Sequence, residues 1–72
     1  MNENKLQNAL KNLLEEIAFM DAEDRQDAGL DDDLAGIEHV RTFEEEGVLT
    51  RDAGLVIHTR DGDFQLTIVR SR

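Results

Sequence analysis

The stretch that most constrains this chain is Gly54 to Val69, GLVIHTRDGDFQLTIV. Two β-prone runs flank Asp61-Gly62, a dipeptide suited to the positive φ angles of a two-residue type I′ turn, so the spacing predicts a β-hairpin. With that turn, Arg60 faces Asp63, Thr59 faces Phe64, His58 faces Gln65, Ile57 faces Leu66 and Leu55 faces Ile68. Side chains alternate along a strand, which gathers Leu55, Ile57, Phe64, Leu66 and Ile68 on one face. Val56, His58, Arg60, Gln65, Thr67 and Val69 fall on the other. Such an apolar face needs a cover.

Residues 4–20, NKLQNALKNLLEEIAFM, supply one. Leu6, Ala9, Leu10, Leu13, Leu14, Ile17 and Met20 form a single stripe at helical periodicity, so an amphipathic helix is expected to lie over the hairpin. Asn4 with Gln7 resembles a capping box, and Asn2 is a rival cap. The helix has the option of continuing to Ala28 with Gly29 as its C-terminal cap, although repeated acids there oppose the helix dipole. Phe19 falls outside the stripe. It either folds under a following loop or offers an aromatic contact to a partner.

Asp21 to Asp33 holds seven acids and one Arg, and reads as an exposed loop or frayed helix end. Residues 37–43 suit a strand by their β-branched content, although Leu34, Ile37, Val40 and Phe43 also recur every third residue, as in a helix. The strand is the favoured reading. Thr42 and Glu45 then form a capping box for one short turn, Phe43 to Glu46, which Gly47 ends. Val48 to Thr50 follows as a brief extended piece. The expected fold is α+β: one N-terminal amphipathic helix packed on a small antiparallel three-stranded sheet, in the order α-β-β-β, with a C-terminal β-hairpin. Residues 1–72 make a single small domain, near the size at which a lone core becomes marginal.

Composition narrows the chemistry. The chain has no Cys, which excludes disulfides and thiolate metal sites. Residues 1–20 are polar and helix-patterned rather than leader-like, and no apolar run approaches a membrane span, so a cytoplasmic location is expected. Net charge is −9, and it is unevenly placed. Residues 1–46 carry fourteen acids against four bases, a net of −10, while residues 47–72 carry three against four, a net of +1. That balance disfavours direct binding to nucleic acid or to anionic membranes. Its natural partners are basic proteins.

No catalytic constellation stands out. His39 and His58 are the only histidines, and Thr42, Thr59 and Ser71 sit in no nucleophile context, so an enzyme is not expected. Asp31, Asp32 and Asp33 lack the alternating spacing of a calcium loop. The two histidines are far apart in sequence with no Cys beside them, which makes a shared metal pair an unfavoured reading. No cofactor is called for, since the glycines are scattered and form no phosphate-cradling loop. What remains is interaction. The acids cluster as Asp21–Asp27, Asp31–Asp33 and Glu44, Glu45 and Glu46. Brought to one side, they would present a phosphate-like field to a basic nucleic-acid-handling protein. The analogy is with small acidic inhibitors that imitate DNA, often phage-encoded. The expected function is therefore a non-enzymatic protein-interaction module, an inhibitor or nucleic-acid mimic. Its alternative is a homo-oligomeric accessory domain, a homodimer in the simplest case, built on an edge strand over residues 63–70 that few charges protect.

Overall fold

Asn2 starts the first helix: its side chain accepts a hydrogen bond from the Lys5 amide at 2.8 Å, and α1 runs Glu3–Phe19. Of the two candidate caps the earlier one is used, which frees Gln7 to accept from the Gly54 amide at 2.9 Å and tie α1 to the sheet. In this computed structural model residues 1–71 are described. The chain breaks out of helix at Met20 and Asp21, both extended, then forms α2 over Ala22–Asp27. Gly29, with φ of 73°, follows that helix end. The acidic segment is thus ordered more than its composition suggests. After α2 it makes a 3₁₀ turn, Asp32–Gly36, capped by Asp31, whose carboxylate accepts from the Asp33 amide at 2.9 Å.

Arg25 explains that order. It is only 6% exposed, and its guanidinium donates to the carbonyls of Met20 and of Ile17, the latter at 3.2 Å. A cation thereby meets the negative end of α1, where the Ile17 carbonyl also accepts from the Met20 amide at 3.2 Å. Asp32 lies 3.9 Å from the Arg25 Nε, close enough for charge pairing.

Three antiparallel strands follow in the order β1-β2-β3: β1 Ile37–Thr42, β2 Ala53–Thr59 and β3 Gly62–Ile68. Between β1 and β2 stands α3, Phe43–Glu46, with the expected capping box: Glu45 N donates to Thr42 Oγ1 at 3.1 Å, and Thr42 N to Glu45 Oε1 at 2.9 Å. Gly47, at φ 72°, ends it. Val48 to Thr50 forms no strand.

The hairpin is present, with its register displaced. Thr59 pairs with Gly62, His58 with Asp63, Ile57 with Phe64 and Leu55 with Leu66. Arg60 and Asp61 occupy the turn, and no non-glycine described residue has positive φ, so the type I′ geometry expected at Asp61-Gly62 is not used. The displacement is two residues, an even number, so every side chain keeps its assigned face.

The core is small: Ile17, Val40, Phe43, Leu55 and Val56 are its buried apolar members. The helix α1 lies against β1 and β2, not along β3. A helix is about 10 Å across with its side chains and strands are about 4.8 Å apart, so one helix covers two strands. Phe64 is therefore 61% exposed and Leu66 40%, although both point to the helix-bearing face. The apolar face of the hairpin is covered on one strand and open on the other. No helix among the described residues is long and apolar enough to cross a membrane.

Candidate functional site

One irregularity in β1 builds the most organised polar cluster. Ile37 pairs with Thr59 but His39 pairs with His58, leaving Glu38 as an extra residue in a β-bulge. In a regular strand His39 would share the helix-facing side of Ile37. With the bulge, Val40 turns into the core and His39 turns out beside His58. Bulges characteristically re-aim a side chain in this way. The two imidazoles stack, ring centroids 4.3 Å apart and planes inclined by 29°.

Two further elements reach the same spot. Glu46, at the end of α3, places Oε1 against His58 Nε2, and Asp63 on β3 places Oδ1 2.9 Å from His58 Nδ1. The His58 side chain is 18% exposed. Its pKa is raised above the ordinary 6.5, chiefly by the hydrogen bond to Glu46, with Asp63 adding to the effect and partial burial opposing it. The expected partner of His58 across the hairpin was Gln65. The two-residue displacement substitutes Asp63, a carboxylate, and changes what the ring can do.

The interaction residues drawn from the sequence separate into two ends of the molecule. Asp31, Asp32 and Asp33 sit beside α2 at the end of the sheet that carries the hairpin turn, where Asp32, Asp33, Arg60, Asp61 and Phe64 line one open cleft. Glu44 and Glu45 sit at the other end of β1, six residues or about 20 Å away at ~3.3 Å per residue, and Glu46 reaches back from there to His58. The runs 21–27 and 31–33 therefore adjoin, and 44–46 does not join them.

Four of these acids serve the fold, Asp31 and Asp32 as the cap of the 3₁₀ turn and the partner of Arg25. Glu45 closes the capping box, lies 3.8 Å from Lys11 of α1 and 4.0 Å from Arg41, and its pKa is lowered, first by the hydrogen bond from the Thr42 amide. Glu46 is held by His58. Glu44 is exposed, and so is Phe19, at 73%. The Phe19 ring is outside the core, at the end of α1 where the chain turns toward α2. Its exposure corrects the expectation that the ring folds under the following loop.

A different surface was not anticipated. Along β3, Phe64 and Leu66 stand open, and at its far end Ile68 and Val69 share a cleft with Leu6 of α1. The exposed Leu13, at 51%, extends the uncovered edge of the helix. The signal available in the sequence was geometric: one helical stripe set against three strands.

No known protein family, curated protein or solved structure matches the chain.

Proposed function

We propose that this chain is a non-enzymatic protein-interaction module whose first partner is a second copy of itself. The observation that carries this reading is β3, an edge strand with an open apolar face. Its backbone has one neighbour, β2, and between Gly62 and Ile68 it has neither Pro nor Lys to discourage a second. A two-fold axis beside it pairs β3 with its own copy, extends the sheet to six strands and brings the two Phe64–Leu66 faces together. Charge favours this contact over others. The segment 47–72 has a net of +1, whereas 1–46 has a net of −10, so the strand itself brings little charge to the contact. A core of five buried apolar residues also has much to gain from added burial.

Sedimentation of the purified chain over a wide concentration range tests the proposal, with Phe64→Glu as the variant. Dimer in the wild type and monomer in a folded Phe64→Glu support it. A wild-type monomer at millimolar concentration refutes it.

A second reading rests on the adjoining acids of α2 and the 3₁₀ turn, which form a negative end suited to a basic, nucleic-acid-handling protein. Because Glu45 and Glu46 are tied into the fold, and Asp31 and Asp32 cap the 3₁₀ turn and pair with Arg25, Asp27 and Asp33 are the residues to neutralise. Capture of such a protein from nuclease-treated lysate, abolished by Asp27→Asn with Asp33→Asn and by raised salt, supports this reading. Capture indifferent to both overturns it.

A further inference from the structure

We propose that His39, His58 and Glu46 form a binding site for a divalent transition-metal ion, Zn²⁺ above all, with Asp63 as the residue that orients His58. The donor atoms of His39, Glu46 and His58 all lie within 4.8 Å of one another. Ligands on a tetrahedral zinc, bonded at about 2.0–2.1 Å, sit about 3.3 Å apart. Closing from the first spacing to the second needs side-chain rotation alone, and two of the three residues are on the surface and free to make it. The stacked rings must turn so that one nitrogen of each addresses the ion, a motion a surface pair on neighbouring strands can make.

The donor set is also chemically apt. Two imidazoles and one carboxylate suit zinc, and leave a fourth position for water. Copper and nickel accept the same donors and rank near or above zinc in intrinsic affinity, so availability rather than the site would choose among them. Asp63 completes the arrangement. Its Oδ1 lies 2.9 Å from His58 Nδ1, a contact that favours a proton on that nitrogen and leaves Nε2, which faces Glu46, to address the ion. A carboxylate behind a ligand histidine is the usual outer-shell partner in zinc sites.

The backbone brings the site together. The residues arrive from β1, β2, β3 and α3, and His39 reaches the site because of the bulge at Glu38. The same bulge turns Val40 into the core, so one distortion serves both packing and the placement of His39. The site is distinct from the acidic run Asp31–Asp33, which lies beside the hairpin turn.

The test is isothermal titration of tag-free protein with Zn²⁺ at neutral pH, paired with Co²⁺ absorption spectra to report coordination. One ion per chain is expected, with the visible bands of tetrahedral cobalt. His58→Gln and His39→Gln should each abolish stoichiometric binding while circular dichroism shows the fold retained. Asp63→Asn should weaken binding about ten- to hundredfold, as expected for loss of an outer-shell partner. Asp32→Asn with Asp33→Asn should leave it unchanged. Absence of stoichiometric binding in the wild type overturns the proposal. So does binding that survives both histidine substitutions, since the ion would then be held by surface carboxylates. If the histidine variants unfold, wild-type ¹H–¹⁵N spectra decide: Zn²⁺ must shift the ring nitrogens of both His39 and His58, and failure to do so is fatal.

Discussion

His39 and His58 lie ring against ring across β1 and β2, 4.3 Å between centroids, and only His58 of the two is gripped by a carboxylate at each nitrogen. Protonated His58 donates to both Glu46 and Asp63, and its neutral form gives up one of those bonds. The folded state therefore holds the proton more tightly than the unfolded chain does.

The consequence for pH has a definite sign. A folded pKa above the unfolded value of 6.5 means that the protonated ring stabilises the fold fully below that value. The contribution disappears as pH rises through the folded pKa. Imidazole chemical shifts followed through a pH titration should place the His58 midpoint above 6.5. In denaturation series, the stability advantage of wild type over His58→Gln should shrink as pH rises from 6.5 and be gone above that midpoint. The groups that face His58 are Glu46, Asp63 and the His39 ring, and a second positive charge on His39 would oppose the effect. A midpoint at or below 6.5 would show that the two carboxylates do not hold the ring in solution.

Gly54 should tolerate no side chain. A Cβ there would lie 2.3 and 2.5 Å from atoms of the Phe43 ring and 2.6 Å from the Leu66 carbonyl oxygen. The ring has some freedom to move, but the carbonyl belongs to the β3 backbone. Overpacking a core costs about 1–3 kcal/mol where side chains can adjust, and Gly54→Ala should reach the upper part of that range. Since the chain has neither Trp nor Tyr, far-ultraviolet circular dichroism in urea is the suitable measurement. An Ala variant as stable as wild type would mean that Phe43 does not pack on Gly54.

Arg25 should matter more than any other charged residue outside the sheet. It donates to the Ile17 and Met20 carbonyls while almost fully buried. Arg25→Met keeps the apolar stem and removes those charge-assisted bonds, each worth about 1.5–3 kcal/mol. Because Met also removes the desolvation cost of a buried cation, the variant should lose less than their sum, on the order of 2 kcal/mol, with faster amide exchange in α2, which has few other ties to the rest of the chain. Equal protection in α2 would assign its order to some other contact.

How far these features were legible follows from the range of the interactions involved. Local rules were readable: the Thr42–Glu45 capping box, the Gly47 helix stop and the alternation in β2 and β3 each depend on residues close in sequence. Because alternation fixes parity and not register, the faces of the hairpin were recoverable while the partner of His58 was not. The mixed signal at Ile37 and Val40, three apart and both helix-facing, has its cause in the extra residue Glu38. No local pattern announces such a bulge, and with it the approach of His39 to His58 stayed hidden. Arg25 was opaque for the same reason: its partners are carbonyls of α1, and sequence gives a carbonyl no identity.

The open side of β3 leads to the last prediction. Phe64 and Leu66 sit on the helix-bearing face beyond the reach of α1, so in a lone chain they contribute little burial. In a pair joined along β3 they pack against their own copies and gain burial. Stability should then depend on protein concentration, because association draws the unfolding equilibrium toward the folded dimer. Wild-type Tm should rise over successive tenfold steps in concentration, whereas Phe64→Glu should show one Tm throughout. At high dilution the two proteins should converge, since a side chain already 61% exposed gives up little when it becomes charged. A Phe64→Glu variant that is strongly destabilised at high dilution would place the ring in the core of the lone chain. A wild-type Tm independent of concentration would leave β3 a bare edge, and the negative end formed by α2 and the 3₁₀ turn would become the surface to pursue.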